Sequence, residues 1–392
     1  MSLPDADALR ATWSFPTQVR FGPGRIAELG AACRSVGMSR PLLVTDRALA
    51  AHELIATARA AIEGEGLAAP VFADVKPNPT DVNVVAGVEV LRAGGHDGVV
   101  AIGGGSAMDA AKAIAFMVAQ SRPLADFEDH GDNWRRAEAA GILPVIAVPT
   151  TAGTGSEVGR AAVVTDTGAG VKRIVFHPRM LPVVVISDPE LTVGLPPAIT
   201  AATGMDALAH ALEAYCAPGF HPMADGIAVE ATRLVKEALP RAVADGTDLP
   251  ARAAMLAAAS MGAVAFQKGL GAIHALSHPI GARYDTHHGL TNAVVMPYVL
   301  TFNRSAVAGR LDRLAAYLGI EGGCEGLSAW VLDLRRTIGI PHALAELDLP
   351  SDDFDALVEA ALADPTAAGS PVPLTAAGVR DLLERAWTGR LD

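Results

Sequence analysis

Short, Val- and Ile-rich runs alternate with helical patterns between about residues 40 and 190, and beyond Pro196 and Pro197 only helical patterns remain. That switch most constrains the fold. The runs 41–45, 71–75, 99–102, 145–148 and 183–186 are bounded by Gly, Pro or Asp and read as buried strands. Helical periodicity at 81–92 and 107–118 lies between them, so the strands are predicted to form a parallel sheet covered on both faces. Two further strand regions are expected, at 12–20 and at 161–176, the second a hairpin turning at Thr167, Gly168, Ala169 and Gly170. Later, 200–215, 223–239, 251–266 and 273–282 read as helices. The expected organisation is an α/β domain over 1–193 and an all-helical domain over 194–392, with the boundary near 191–197.

With 392 residues, 51% of them apolar, the chain can bury two cores. Its net charge of -12 carries no electrostatic footprint for nucleic acid or an anionic membrane, so neither is an expected partner. Three widely separated cysteines, Cys33, Cys216 and Cys324, suit reduced thiols, and the first residues lack the basic-then-apolar order of a signal peptide. The longest apolar run, 252–267, falls short of a membrane span and reads as a buried helix. A soluble, cytoplasmic protein is expected.

The run Val99-Val100-Ala101-Ile102 leads directly into Gly103-Gly104-Gly105-Ser106 and then a helix. Glycines allow close backbone approach to a phosphate, and a helix start offers unpaired N–H groups. Ser106 suits the N-cap, and Asp109 three residues on resembles a capping box. The pattern is neither G-x-G-x-x-G nor a Walker loop, and a tight strand-to-helix turn with a good cap is the alternative. A second loop, 150–157, interleaves Thr150, Thr151, Thr154 and Ser156 with glycine after another strand. Two such loops at one sheet edge favour a nucleotide.

Asp206 and His210 stand four residues apart in an apolar surround, on one face of a helix. His274, His278, His287 and His288 follow, four of eleven histidines within fifteen residues, and His274 and His278 repeat the one-turn spacing. Buried charge without a partner is costly, so this pattern favours a metal over a structural polar cluster. A carboxylate with imidazoles and no thiolate suits Fe(II), Zn(II), Co(II) or Mn(II).

These segments resemble the iron-containing alcohol dehydrogenase family. The stretch 204–215, holding Asp206 and His210, is similar to one family signature, and 271–293, holding His274 and His288, to the other. Pro77-Asn78-Pro79-Thr80, the 103–106 loop and 150–157 match its cofactor elements in order. The resemblance implies a dehydroquinate synthase-like two-domain fold with a cleft holding NAD and a metal, Fe(II) or alternatively Zn(II). It also implies Asp206, His210, His274 and His288 as ligands, and a homodimer or higher homo-oligomer. Asp46, matching the family's strand-end Asp, favours NAD because a carboxylate there repels a ribose phosphate.

The expected activity is hydride transfer between a small alcohol, diol or hydroxy acid and NAD, with the metal as Lewis acid. His278 either relays the proton or orients the site, and Phe266 either walls the pocket or packs the core. Departures from the family pattern are Gln267-Lys268, Gly159 and His287, the last read as supporting the site or lying at the surface. The rivals are a dehydroquinate synthase-like lyase, disfavoured by sparse Lys and Arg at 260–300, a hydroxyacid-oxoacid transhydrogenase, and a catalytically silent NAD-binding protein.

Overall fold

The computed structural model describes Phe15, 17–350 and 354–391. Its contacts divide the chain into two compact units, one running to Gly194 and the other from Leu195 onward.

The first unit is built on six parallel strands: β1 (Gln18–Phe21), β2 (Pro41–Val44), β3 (Val71–Phe72), β4 (Gly98–Gly103), β5 (Val145–Pro149) and β8 (Val184–Ser187). They lie in the order β1-β8-β5-β4-β2-β3. Every residue of β2, β4, β5 and β8 is buried, as a sheet covered on both faces requires. Val100, Ile102, Ile146, Val148 and Ile186 share a core with α1 (Leu29–Ser35) and α2 (Glu53–Glu63). Burying each such side chain contributes about 1.5–3 kcal/mol. Helices α3 (Asp81–Gly94) and α4 (Gly105–Met117) precede and follow β4, and an antiparallel hairpin, β6 (Ala161–Asp166) and β7 (Val171–Phe176), stands apart from the sheet. From β2 the chain steps outward to β3, then returns past β2 to β4, β5 and β8, so the order reverses between β2 and β4. Ligands of open α/β sheets bind beyond the carboxyl ends of strands at such a reversal.

Four local expectations change. The first strand is Gln18–Phe21, so the earlier part of the expected 12–20 segment lies outside the described residues except Phe15 and Thr17. The third strand keeps only Val71 and Phe72. Ser106 is not the N-cap of α4. Gly104 occupies the cap in extended conformation, the helix begins at Gly105, and the Ser106 hydroxyl instead donates to the Pro77 carbonyl. Asp109 makes no capping box either, because its carboxylate is turned to Ser156 and Val163.

The second unit is helical: α5 (Pro197–Cys216), α6 (Pro222–Ala244), α7 (Leu249–Ala265), α8 (Ala272–Tyr284), α9 (His288–Tyr317), α10 (Gly323–Thr337), α11 (Phe354–Ala363) and α12 (Ala376–Thr388). Helix α5 packs against α6, α7 and α9 and is buried from Met205 through Cys216. A helix surrounded in this way carries apolar residues all round, so its Asp206 and His210 are set in the interior. The stretch Leu249–Lys268 is, contrary to expectation, long and apolar enough to cross a membrane, but 56% of its most apolar window is buried within the protein, as for a core helix.

Candidate metal centre and cofactor loops

Each metal-site residue is set by local sequence. Asp206 and His210 sit one turn apart on α5, and His210 Nε2 lies 3.7 Å from Asp206 Oδ1. His274 stands in the first turn of α8. That helix ends at Asp285 in left-handed conformation, φ 54°, a reversal that lets α9 begin at His288. His287, the departure from the family pattern, is exposed and caps α9, its Nδ1 accepting from Leu290 N at 3.3 Å. Gly289 makes the approach of α9 to α5 possible. A Cβ there would fall 2.4 Å from the Ala202 carbonyl and 3.0 Å from Asp206 Cβ. His288 Nε2 consequently stands 3.6 Å from Asp206 Oδ1.

Asp206, His210, His274 and His288 each offer one ligand atom, and these atoms lie within 4.8 Å of one another. Asp206, His210 and His274 are buried, while the His288 side chain keeps 27% of its surface, the most open side of the set. The rings of His210 and His274 stack at 4.9 Å, and Phe266 meets His210 edge-on at 5.1 Å. One carboxylate and three imidazoles at this spacing fit a divalent cation of the Fe(II) or Zn(II) type.

Glu213 supports this set and was not singled out from sequence. Its Oε1 accepts from Ile273 N at 2.6 Å, and its Oε2 stands 2.5 Å from His274 Nδ1. Burial pushes its carboxyl up to about 7 against the backbone N–H groups of Ile273 and Gly271 and the charge of His210. Burial also drives His274 well below its ordinary value, reinforced by charge on His210 and His278. A neutral His274 whose Nδ1–H faces a carboxylate turns the Nε2 lone pair to the centre, and a cation there would in turn favour ionised Glu213.

His278 lies outside the four. Its ring stacks on His288 at 5.4 Å and its Nδ1 is 2.8 Å from Asp364 Oδ2. Asp364 is fixed by Thr366, whose N–H and hydroxyl donate to its other oxygen at 2.8 and 2.5 Å. Lys268 pairs with Asp225 at 2.5 Å and donates to the Tyr215 carbonyl at 3.2 Å.

In the first unit the expected cofactor residues gather beyond the ends of β2, β4 and β5. Asp46 follows β2 and holds the next turn through Ala48 N and Leu49 N, at 2.9 and 3.0 Å. A Cβ on Gly103 would lie 3.5 Å from the other Asp46 oxygen, Oδ2. A Cβ on Gly104 would lie 3.2 Å from Thr151 Oγ1, and one on Gly105 2.6 Å from Thr154 Cγ2, so the two loops form a cradle with no room for side chains at the glycines. Thr150 is buried, its N–H donating to Gly103 O at 3.0 Å. Asn78 lies in the loop bonded to Ser106 and accepts from Lys172 Nζ at 2.9 Å.

A second overlooked residue, Lys112, locks the two loops together. Fully buried on α4, it donates to Ser156 O at 3.0 Å and to Ala161 O, and lies 3.2 Å from Asp109. Asp109 accepts from Ser156 Oγ at 2.5 Å and Val163 N at 3.0 Å. Gly159 belongs to this clamp, since a Cβ there would lie 3.7 Å from Lys112 Nζ.

An α/β nucleotide-type unit and a helical unit bearing an Asp-His₃ set, three of its four residues buried, fit the class of metal-dependent enzymes that bind a nucleotide. Residues 16–189 match the family model described as iron-containing alcohol dehydrogenase, and residues 200–387 match that of the C-terminal part of the Fe-containing alcohol dehydrogenase family. The chain is 40% identical to the 4-hydroxybutyrate dehydrogenase of Cupriavidus necator, over 94% of this chain and 98% of that one. It is 37% identical to the NAD-dependent methanol dehydrogenase of Bacillus methanolicus, over 93% and 97%. A solved 1,3-propanediol oxidoreductase superposes with a TM-score of 0.90 at 34% identity, covering 96% of this chain and all of that one. The chain therefore belongs to the iron-containing alcohol dehydrogenase family, a metal-dependent alcohol oxidoreductase. These similarities favour neither the lyase, the transhydrogenase nor the silent NAD-binding alternative.

Proposed function

We propose that the chain interconverts a short primary alcohol, diol or ω-hydroxy acid and its aldehyde, using NAD(H) and Fe(II), with Zn(II) the alternative metal. The carrying observation is the set of Asp206, His210, His274 and His288, the first three buried, whose ligand atoms lie within 4.8 Å of one another. Bound there, a divalent metal would supply Lewis acidity towards the alcohol oxygen, while the nicotinamide accepts hydride from the carbinol carbon. The chain's own residues do the rest. His288, the most open of the four, faces the side from which a small oxygen ligand has access. To His278, stacked on it and held by Asp364, this reading gives the role of taking the hydroxyl proton. The cradle of Gly103, Gly104 and Gly105 with Thr151 and Thr154 supports a diphosphate at the N-terminus of α4. Asp46 Oδ2 would accept from a ribose hydroxyl and repel a ribose phosphate, which supports NAD over NADP.

The substrate class rests on the relatives named for 4-hydroxybutyrate, methanol and 1,3-propanediol. A cytoplasmic homodimer, or a higher homo-oligomer, completes the proposal. The test is NADH formation by protein purified without chelator and loaded with Fe(II) or Zn(II), across methanol, 1,3-propanediol and 4-hydroxybutyrate. Metal-dependent turnover on at least one is the expected result. Stoichiometric metal without turnover on any of these, or of the matching aldehydes, would overturn it.

A further inference from the structure

Asn292 lies one turn after His288 on α9, fully buried, and no feature of the sequence singled it out. Its Nδ2 donates to Asp206 Oδ1 at 2.8 Å and lies 3.2 Å from His274 Nε2 and 3.1 Å from His288 Nε2. One amide nitrogen thus touches the ligand atoms of three of the four metal-site residues. Its Oδ1, also buried, has no partner among the described residues. The reverse orientation of the amide would bring that oxygen against Asp206 Oδ1, two acceptors in contact, so charge fixes the nitrogen inward. An amide nitrogen has two hydrogens, and the shortest contact, to the carboxylate, is the one charge strengthens.

We infer that Asn292 is a positioning residue for the divalent cation, fixing which Asp206 oxygen faces the histidines and at what angle. Asp206 Oδ1 is the atom 3.7 Å from His210 Nε2 and 3.6 Å from His288 Nε2, the atom the amide grips. A carboxylate free to rotate would present this oxygen only part of the time, and the cation would bind correspondingly less well. A hydrogen bond to the ligating oxygen leaves its other lone pair for the ion. This assignment rests on the metal reading proposed above and extends it to a residue that is not itself a ligand.

The experiment is a Co(II) titration against a competing chelator, followed by the visible absorption of the bound ion, for wild type, Asn292→Leu and Asn292→Ala. Loss of a group that orients a metal ligand costs about 10–100-fold in affinity. Asn292→Leu, which keeps the bulk and removes the donor, should lose Co(II) affinity in that range with an altered visible spectrum and unchanged NADH binding. Asn292→Ala should lose less, because the vacated space admits a water that donates in its place. A merely packing role gives the reverse order, since alanine leaves the larger void. Asn292→Leu within about threefold of wild type, or a larger loss in Asn292→Ala, would overturn the inference. Should the leucine variant fail to fold, Asn292→Ala decides alone, with an unchanged Co(II) affinity the contradicting result. A wild type that binds no stoichiometric Co(II) would overturn the metal reading and this inference with it.

Discussion

Glu213 Oε2 stands 2.5 Å from His274 Nδ1, joining α5 to the first turn of α8 across 61 residues of sequence. The same carboxylate takes the Ile273 N–H, so it satisfies a helix start and a metal-site imidazole together. Glu213→Gln keeps the shape but must set an NH₂ against one of these two donors. It should lower metal affinity by about 10–100-fold, measured by chelator competition, with the secondary structure content unchanged by circular dichroism.

Lys112 joins α4 to the second cofactor loop through Ser156 O and Ala161 O. Lys112→Met fills the same space and leaves those carbonyls and Asp109 without their cation. Displacing positioned groups by about 1 Å can cost about 100-fold, so NADH binding, read by fluorescence titration, should weaken by up to that amount. Metal content should not change, because the clamp lies wholly in the first unit.

Asp364 orients His278 at 2.8 Å. Burial raises its carboxyl, but the hydrogen bond and charge of His278 and the Thr366 donors outweigh this, and the net shift is below the ordinary 3.8. A carboxyl depressed on folding adds stability above its unfolded value and loses it as the pH falls through the folded one. Asp364→Asn should therefore melt below wild type by an amount equivalent to about 1.5–3 kcal/mol near neutral pH. The gap should close as the pH falls below about 4. Its kcat should fall by about tenfold or more at unchanged metal content.

Much of the first unit was legible because β2, β4, β5 and β8 are unbroken apolar runs buried on both faces. Helices α1 and α2 escaped notice: Leu29–Ser35 is only seven residues, and Glu53–Glu63 has four alanines among its eleven residues and is interrupted by Thr57, Arg59 and charged ends. The three glycines left the start of α4 ambiguous, and the Ser106 hydroxyl is taken by Pro77 O, which local spacing cannot reveal. At the metal centre, the one-turn spacing of Asp206 with His210 was readable on its own. Asp364 was not, since it meets His278 across 86 residues, nor was Lys112, which reaches Ser156 across 44; Asn292 repeats the one-turn spacing from His288, but its bond to Asp206 also spans 86 residues. Contacts made by tertiary structure leave no period in the sequence.

The central claim is that Asp206, His210, His274 and His288 hold a divalent metal on which alcohol oxidation depends. Its most direct test measures bound metal per chain together with NADH production, in wild type and His274→Ala, after identical Fe(II) or Zn(II) loading. We expect near-stoichiometric metal with turnover in the wild type, and loss of both in the variant. A variant that retains full metal and full turnover, or a wild type active without metal, would contradict the account.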